Sequence, residues 1–259
     1  MPIQRDPSRR DGRILRDGAG REVARFVPGT REQLPVADLF ELAPGVPVER
    51  AVPLVMEELR GHQVAAAPDL ARALVRAGAR AGRHAHVMSR DLVADPAPEA
   101  WRDPPAPPGL RLGPVDRPAA DLVPAAEHAY PPDHPDNAHL SRPIDHATEI
   151  AGLLAGRAVG PLLRCSGLAV DASGTVVGAV LVNADEVPPP YGGPWVTQVF
   201  RGPGGRGAGR ALLQRALGIA TADGLPALGL AVTEGNPAQR LYEALGFRLL
   251  LTAFNVRIP

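Results

Sequence analysis

The sequence predicts an α/β protein: a mixed sheet flanked by helices, preceded by a smaller N-terminal α/β region. Three observations carry this. Strand-like and amphipathic helix-like segments alternate along the chain. A glycine-rich turn, VFRGPGGRGAGRALLQRAL from Val199 to Leu217, joins a strand to a helix. A proline run, DPAPEAWRDPPAPPG from Asp95 to Gly109, separates two stretches that each show the alternation.

Along the first stretch, VERAVPLVMEEL reads as a helix, GHQVAAA as a strand, PDLARALVRAGAR as a helix and HAHVMSRDL as a strand. The proline run cannot continue a helix or a central strand, so it is expected to act as a stiff connector. It divides the chain into residues 1–95, a linker over 96–109 and a main domain over 110–259. In that domain GLRLGPV is the first strand and AADLVPAAEHAY a helix that its proline bends; a second helix covers about Asp145 to Ala155. SGLAVD and TVVGAVLVN form a hairpin around Ala172-Ser173-Gly174. GPWVTQVF leads into the glycine turn. ALLQRALGIATADG is a helix with a glycine stop, LPALGLAV a buried strand, PAQRLYEALG a helix and RLLLTAFNVRI the last strand.

With 45% apolar and 22% charged residues in 259, the composition is that of a globular protein with a full core. No apolar run approaches the roughly 20 residues that cross a bilayer, and MPIQRDPSRRDGR has no apolar signal region. A cytoplasmic location is therefore expected, and the single cysteine, Cys165, agrees with a reducing compartment. Basic and acidic residues number 28 each, so no field attracts nucleic acid or a membrane surface. Every basic residue is arginine, which excludes lysine nucleophiles and Schiff bases.

The glycine turn has the geometry of a phosphate cradle. Gly204, Gly205, Gly207 and Gly209 let backbone N–H groups approach a ligand, the helix near Arg210 adds its positive end, and Arg206 or Arg210 adds a charge. Gly202 to Gly207 also satisfies a dinucleotide pattern, G-x-G-x-x-G. That reading needs an acidic residue at the end of the next strand about 20 residues on, and more strands than the remaining fifty or so residues can supply.

Two motifs together carry a resemblance over residues from about Leu110 to Pro259. Arg206-Gly207-Ala208-Gly209-Arg210-Ala211-Leu212-Leu213, followed after one strand by Asn236-Pro237-Ala238-Gln239-Arg240-Leu241-Tyr242-Glu243-Ala244-Leu245-Gly246-Phe247, is similar to the acyl-CoA loop and second signature of the GNAT acyltransferase superfamily. The resemblance implies a mostly antiparallel sheet and transfer of an acetyl group from acetyl-CoA to a primary amine of a small molecule or peptide. It implies that Val199, Phe200, Arg201, Gly204, Gly205, Arg206, Gly207, Ala208, Gly209, Arg210, Asn236 and Ala238 hold acetyl-CoA. Tyr242 becomes the general acid and the Val199 N–H the donor to the developing oxyanion. The loop between the first two helices lines the acceptor pocket, with His128, Tyr130 and Asp136 as substrate-reading residues.

Gly204 departs from the family pattern, which has arginine or glutamine there; the loop is expected to be looser, with Pro203 restoring some rigidity. Acidic residues of the preceding strand are replaced by Thr197 and Gln198. Glu234, Glu186 and Asp185 lie at strand ends as candidate bases through water. The loop histidines and aspartates, His139 among them, lack the compact spacing of a zinc site, so no metal is expected.

The first stretch repeats the second. Placing Gly78 on Gly246 sets Arg72 on Arg240 and Arg80 on Arg248, but Leu74 stands where Tyr242 does and Pro68 where Asn236 does. LAPGVPVER replaces the glycine loop, so this half is expected to bind no CoA and to shape the acceptor site. Two other readings compete with the enzyme: a CoA-binding sensor without turnover, and an N-terminal half that serves homodimer or partner contacts.

Overall fold

The computed structural model describes residues 2–8, 11–31, 34–137, 144–186 and 192–259. The chain divides into two compact units, Met1–His86 with Thr252–Pro259, and Val87–Leu251.

In the first unit, β1 (Ile3–Arg5), β2 (Arg13–Arg16), β3 (Glu22–Arg31) and β4 (Leu34–Leu42) pair in antiparallel succession. Helix α1 (Val48–Glu58) crosses to β5 (Gln63–Ala66), which runs parallel to β4. Helix α2 (Pro68–Arg76) then leads to β6 (Arg80–Asp91). Leu15, Val55, Val64, Leu74 and Val256 share one core here. The antiparallel neighbour of β5 is the end of the last strand of the chain, β12 (Arg248–Arg257), with Phe254 opposite Ala66 and Arg257 opposite Gln63.

The second unit follows the same plan. Strands β7 (Leu110–Gly113), β8 (Gly167–Asp171), β9 (Val176–Ala184) and β10 (Pro194–Arg201) are successively antiparallel. Helix α5 (Ala208–Ala222) crosses to β11 (Ala227–Thr233), parallel to β10, and α6 (Ala238–Ala244) leads into β12. Beside β11 lies β6. The order β1-β2-β3-β4-β5-β12 in one unit thus matches β7-β8-β9-β10-β11-β6 in the other. The repeat holds at the level of strand order, and each unit completes its sheet with a segment from the other half of the sequence.

The second unit alone inserts two helices after its first strand, α3 (Ala119–Ala129) and α4 (His146–Leu154). Alternation along β9 sends Val180 and Val182 to the α5 face and Ala179 and Leu181 to the α3–α4 face, so the sheet is covered on both sides. The proline run behaves differently from a spacer. It contains a 3₁₀ turn, Glu99–Arg102, and Trp101 packs against the core of this unit, with its carbonyl carbon 2.4 Å from where a Cβ on Gly218 would lie. Arg90, almost wholly buried, donates to the carbonyl of Leu245 and stands over the Trp101 ring at 5.2 Å. Strands β1 to β4 carry no clear sequence signal, because Pro28-Gly29 and Pro35 read as turn residues inside what folds as a long hairpin.

Candidate active site

Strands β10 and β11 share a single register pair, Trp195 with Gly229. A Cβ on Gly229 would lie 2.4 Å from the Trp195 ring, so only glycine lets the indole sit at that junction. Among the described residues no further register pair joins the two parallel strands, so their carboxyl ends are left without a shared ladder, a gap between β10 and β11. A bulge between Val196 and Gln198 bends β10 there. Thr197 donates to Leu181 O and to Asn183 Oδ1, while the fully buried Asn183 donates to Leu153 O and Gly160 O, which fixes the end of α4 against β9.

Gly202 N–H donates to Val177 O at 3.0 Å. Antiparallel alternation then points the Phe200 N–H toward β9, and the Val199 and Arg201 N–H groups away from it, toward the gap. In keeping with this, Val199 O accepts the Tyr130 hydroxyl at 2.9 Å.

The chain then enters the glycine loop. Gly204 and Gly207 have φ of 77° and 84°, the left-handed region. A Cβ on Gly205 would lie 2.2 Å from Val177 O, so the loop lies tight against the sheet. Gly207 caps α5, and the N–H groups of Arg206, Gly207, Gly209 and Arg210 have no backbone acceptor among the described residues. Arg201, Arg206 and Arg210 are exposed beside them. Unpaired donors, a helix start and three cations at one turn are chemistry suited to an anion.

Across the gap, Asp136 joins the loop after α3 to the end of β11. It accepts from Thr233 Oγ1 and, at 3.2 Å, from Asn236 Nδ2; His134 Nδ1 lies 3.4 Å from it. Asn236 Oδ1 accepts the Ala238 N–H at 2.9 Å, capping α6. Tyr242 on α6 is buried, its ring edge-on to Phe247, and its hydroxyl has no hydrogen-bond partner among the described residues. Burial, with the Asp136 charge second, pushes that hydroxyl up to about 12. Burial also raises Tyr130, whose ring stacks on His146 and meets the His134 ring edge-on.

The structure therefore groups Val199, Tyr130, Asp136, Asn236 and Tyr242. His128 lies on the exposed face of α3 instead, and Glu234 is exposed in the turn after Thr233, as is Glu186 after β9. His139 lies outside the described residues. Tyr130 is engaged by its bond to β10, so it braces the strand more than it reads a substrate. Thr233, Asn183 and Glu149 were not singled out from the sequence, and His146 entered only among the loop histidines and aspartates weighed for a metal. His146 and Glu149 had a signal, since a three-residue spacing puts both on one face of a helix; Asn183 and Thr233 had none, being single polar residues in apolar strands.

A meander, a glycine loop at the crossover, parted parallel strands and a tyrosine on the following helix make up the layout of the second unit. Residues 127–247 match the family model of the acetyltransferase (GNAT) family, and this region is a GNAT domain. Three solved structures have the same fold. A GCN5-related N-acetyltransferase from Sphaerobacter thermophilus is 19% identical with a TM-score of 0.60, over 95% of this chain and 79% of that one. A tandem GNAT protein from the clavulanic acid biosynthesis pathway is 18% identical (TM-score 0.52, 95% and 81% covered). A GNAT-family acetyltransferase from Colwellia psychrerythraea is 11% identical (TM-score 0.53, 96% and 85%). At these identities the likeness is one of fold. Among curated proteins none matches the chain. Among the described residues no helix is long and apolar enough to cross a membrane.

Proposed function

We propose that this protein is an N-acetyltransferase that moves an acetyl group from acetyl-CoA to a primary amine of a small molecule or peptide. The observation that carries the reading is the gap between β10 and β11, with the glycine loop at one end and an unpartnered Tyr242 hydroxyl on α6. The residues fit the donor. The unpaired N–H groups of Arg206, Gly207, Gly209 and Arg210, with the neighbouring arginines, would hold its pyrophosphate, and backbone groups of Val199 and Arg201 would pair with its arm as an added strand does. Bound there, acetyl-CoA supplies a thioester.

Val199 N–H stabilises the carbonyl oxygen as it gathers charge. Tyr242 gives its proton to the departing thiolate; with its hydroxyl raised to about 12 it stays protonated through the neutral range and loses the proton only as pH rises toward that value. Thiol release from acetyl-CoA, measured with tyramine, spermidine, glucosamine and dialanine as acceptors, tests the reading. Tyr242→Phe is expected to lower kcat on the order of 100-fold with CoA binding retained; an equal rate removes the assigned acid. Gly204 and the missing carboxylate on β10 favour a second reading, a CoA-binding sensor, which is the conclusion if CoA binds and no amine is acetylated.

A further inference from the structure

An amine arrives at neutral pH as an ammonium and must lose a proton before it can attack, yet β10 carries Thr197 and Gln198 where a carboxylate would serve. The carboxylate that reaches this stretch comes from another element. Gln198 lies two residues from Phe200, whose side chain belongs to the core under α3 and α4, so Gln198 faces the same side. There it meets Glu149 of α4. The Asn183 bonds to Leu153 O, Gly160 O and Thr197 dock that helix on the bulged strand, so the placement is built into the fold.

Glu149 Oε2 is covered and has no hydrogen-bond partner among the described residues; His146 Nδ1 is 3.6 Å away. The side chain as a whole is 36% exposed, so the carboxylate is shielded without being sealed in. Three groups face it: His146 from its own helix, Tyr130 from the end of α3 and Gln198 from β10. Tyr130 ties this group to the chemistry, because its ring stacks on His146 and its hydroxyl bonds Val199 O, next to Gln198. Burial is the largest influence and holds the Glu149 carboxyl above the usual carboxylate range, with His146 and the Gln198 side chain pulling the other way.

We propose that Glu149 is the general base of the site, taking a proton from the acceptor ammonium where it borders β10; this rests on the amine-acetylation reading. One N–H proton of the ammonium passes to the Glu149 carboxylate. The freed lone pair forms the N–C bond as the C–S bond breaks, and the thiolate takes the Tyr242 proton. A second N–H proton restores Tyr242, the third stays on the amide, and Glu149 returns its proton to water. No electrons change hands.

The test is kcat/KM against pH, using whichever of the four amines wild type acetylates fastest. Wild type is expected to hold a plateau from the Glu149 titration up to that of the amine. Glu149→Gln is expected to be about 100-fold slower near neutral pH and to gain tenfold per pH unit as the free amine accumulates, with KM for acetyl-CoA unchanged. Glu149→Asp restores part of the plateau, which separates a proton acceptor from a packing residue if the glutamine variant folds poorly. A glutamine variant with the wild-type profile overturns the assignment. Absence of turnover by wild type on all four amines overturns the acetylation reading itself, and this inference with it.

Discussion

The two units share a strand order, and besides the α3–α4 insertion they differ at the parallel pair that the crossover helix joins. In the first, β4 and β5 stay paired along their length, at Val36–Gln63, Ala37–Val64 and, past an irregularity, Phe40–Ala66. In the second, β10 and β11 meet only at Trp195–Gly229. The first joins β4 to α1 through Ala43 to Pro47, with Gly45 as its only glycine; the second uses Gly202, Gly204, Gly205 and Gly207. Where Tyr242 presents its hydroxyl, the first unit has Leu74, fully buried. A sheet can keep its topology while one pair of strands is either zipped into core or parted into a site, and a few small or bulky residues decide which.

The comparison breaks most sharply at the glycine loop. Gly205→Val would drive a side chain into Val177 O, and it is expected to abolish both turnover and the rise in melting temperature expected of wild type with CoA. Gly45→Ala, at an open position with φ of 76°, should leave both intact and cost only about 1 kcal/mol of stability. CoA protection retained in Gly205→Val would show that the loop does not hold the ligand. Next in size is Leu74→Ala, expected to cost about 3 kcal/mol in denaturant unfolding by leaving a cavity, whereas Tyr242→Phe at the matching position should change rate and leave stability nearly untouched. Smallest is Asn236→Ala, which removes the bond to Ala238 N–H and is expected to cost about 1 kcal/mol. Pro68→Asn at the matching position of α2 should be near neutral, since Pro68 already suits a first helical turn.

Much of the second unit was legible because its punctuation is local. The glycine stops after α5 and α6, the turn between β8 and β9, and the Asn-Pro start of α6 each fix backbone geometry within a few residues. The helix pair α3 and α4 was legible as well, though not what it carries to the sheet. Of the site, the loop, Val199, Asn236 and Tyr242 could be named from motifs. His128 and Glu234 were named by position alone and lie exposed, because a residue near a strand or helix end can face either way. The hairpin of β3 and β4 escaped notice since its prolines imitate a loop.

By itself the sequence determined where the chain turns, which segments bury an apolar face, and that one half keeps a glycine cradle the other lacks. Those properties depend on backbone freedom and on periodicity, which neighbouring residues set. Tertiary structure alone decided that β12 completes the first sheet and β6 the second, that β10 and β11 part beyond Trp195, and that Glu149 reaches Gln198. Each of these joins residues far apart in the chain, and only the packing of whole elements sets the distance between them.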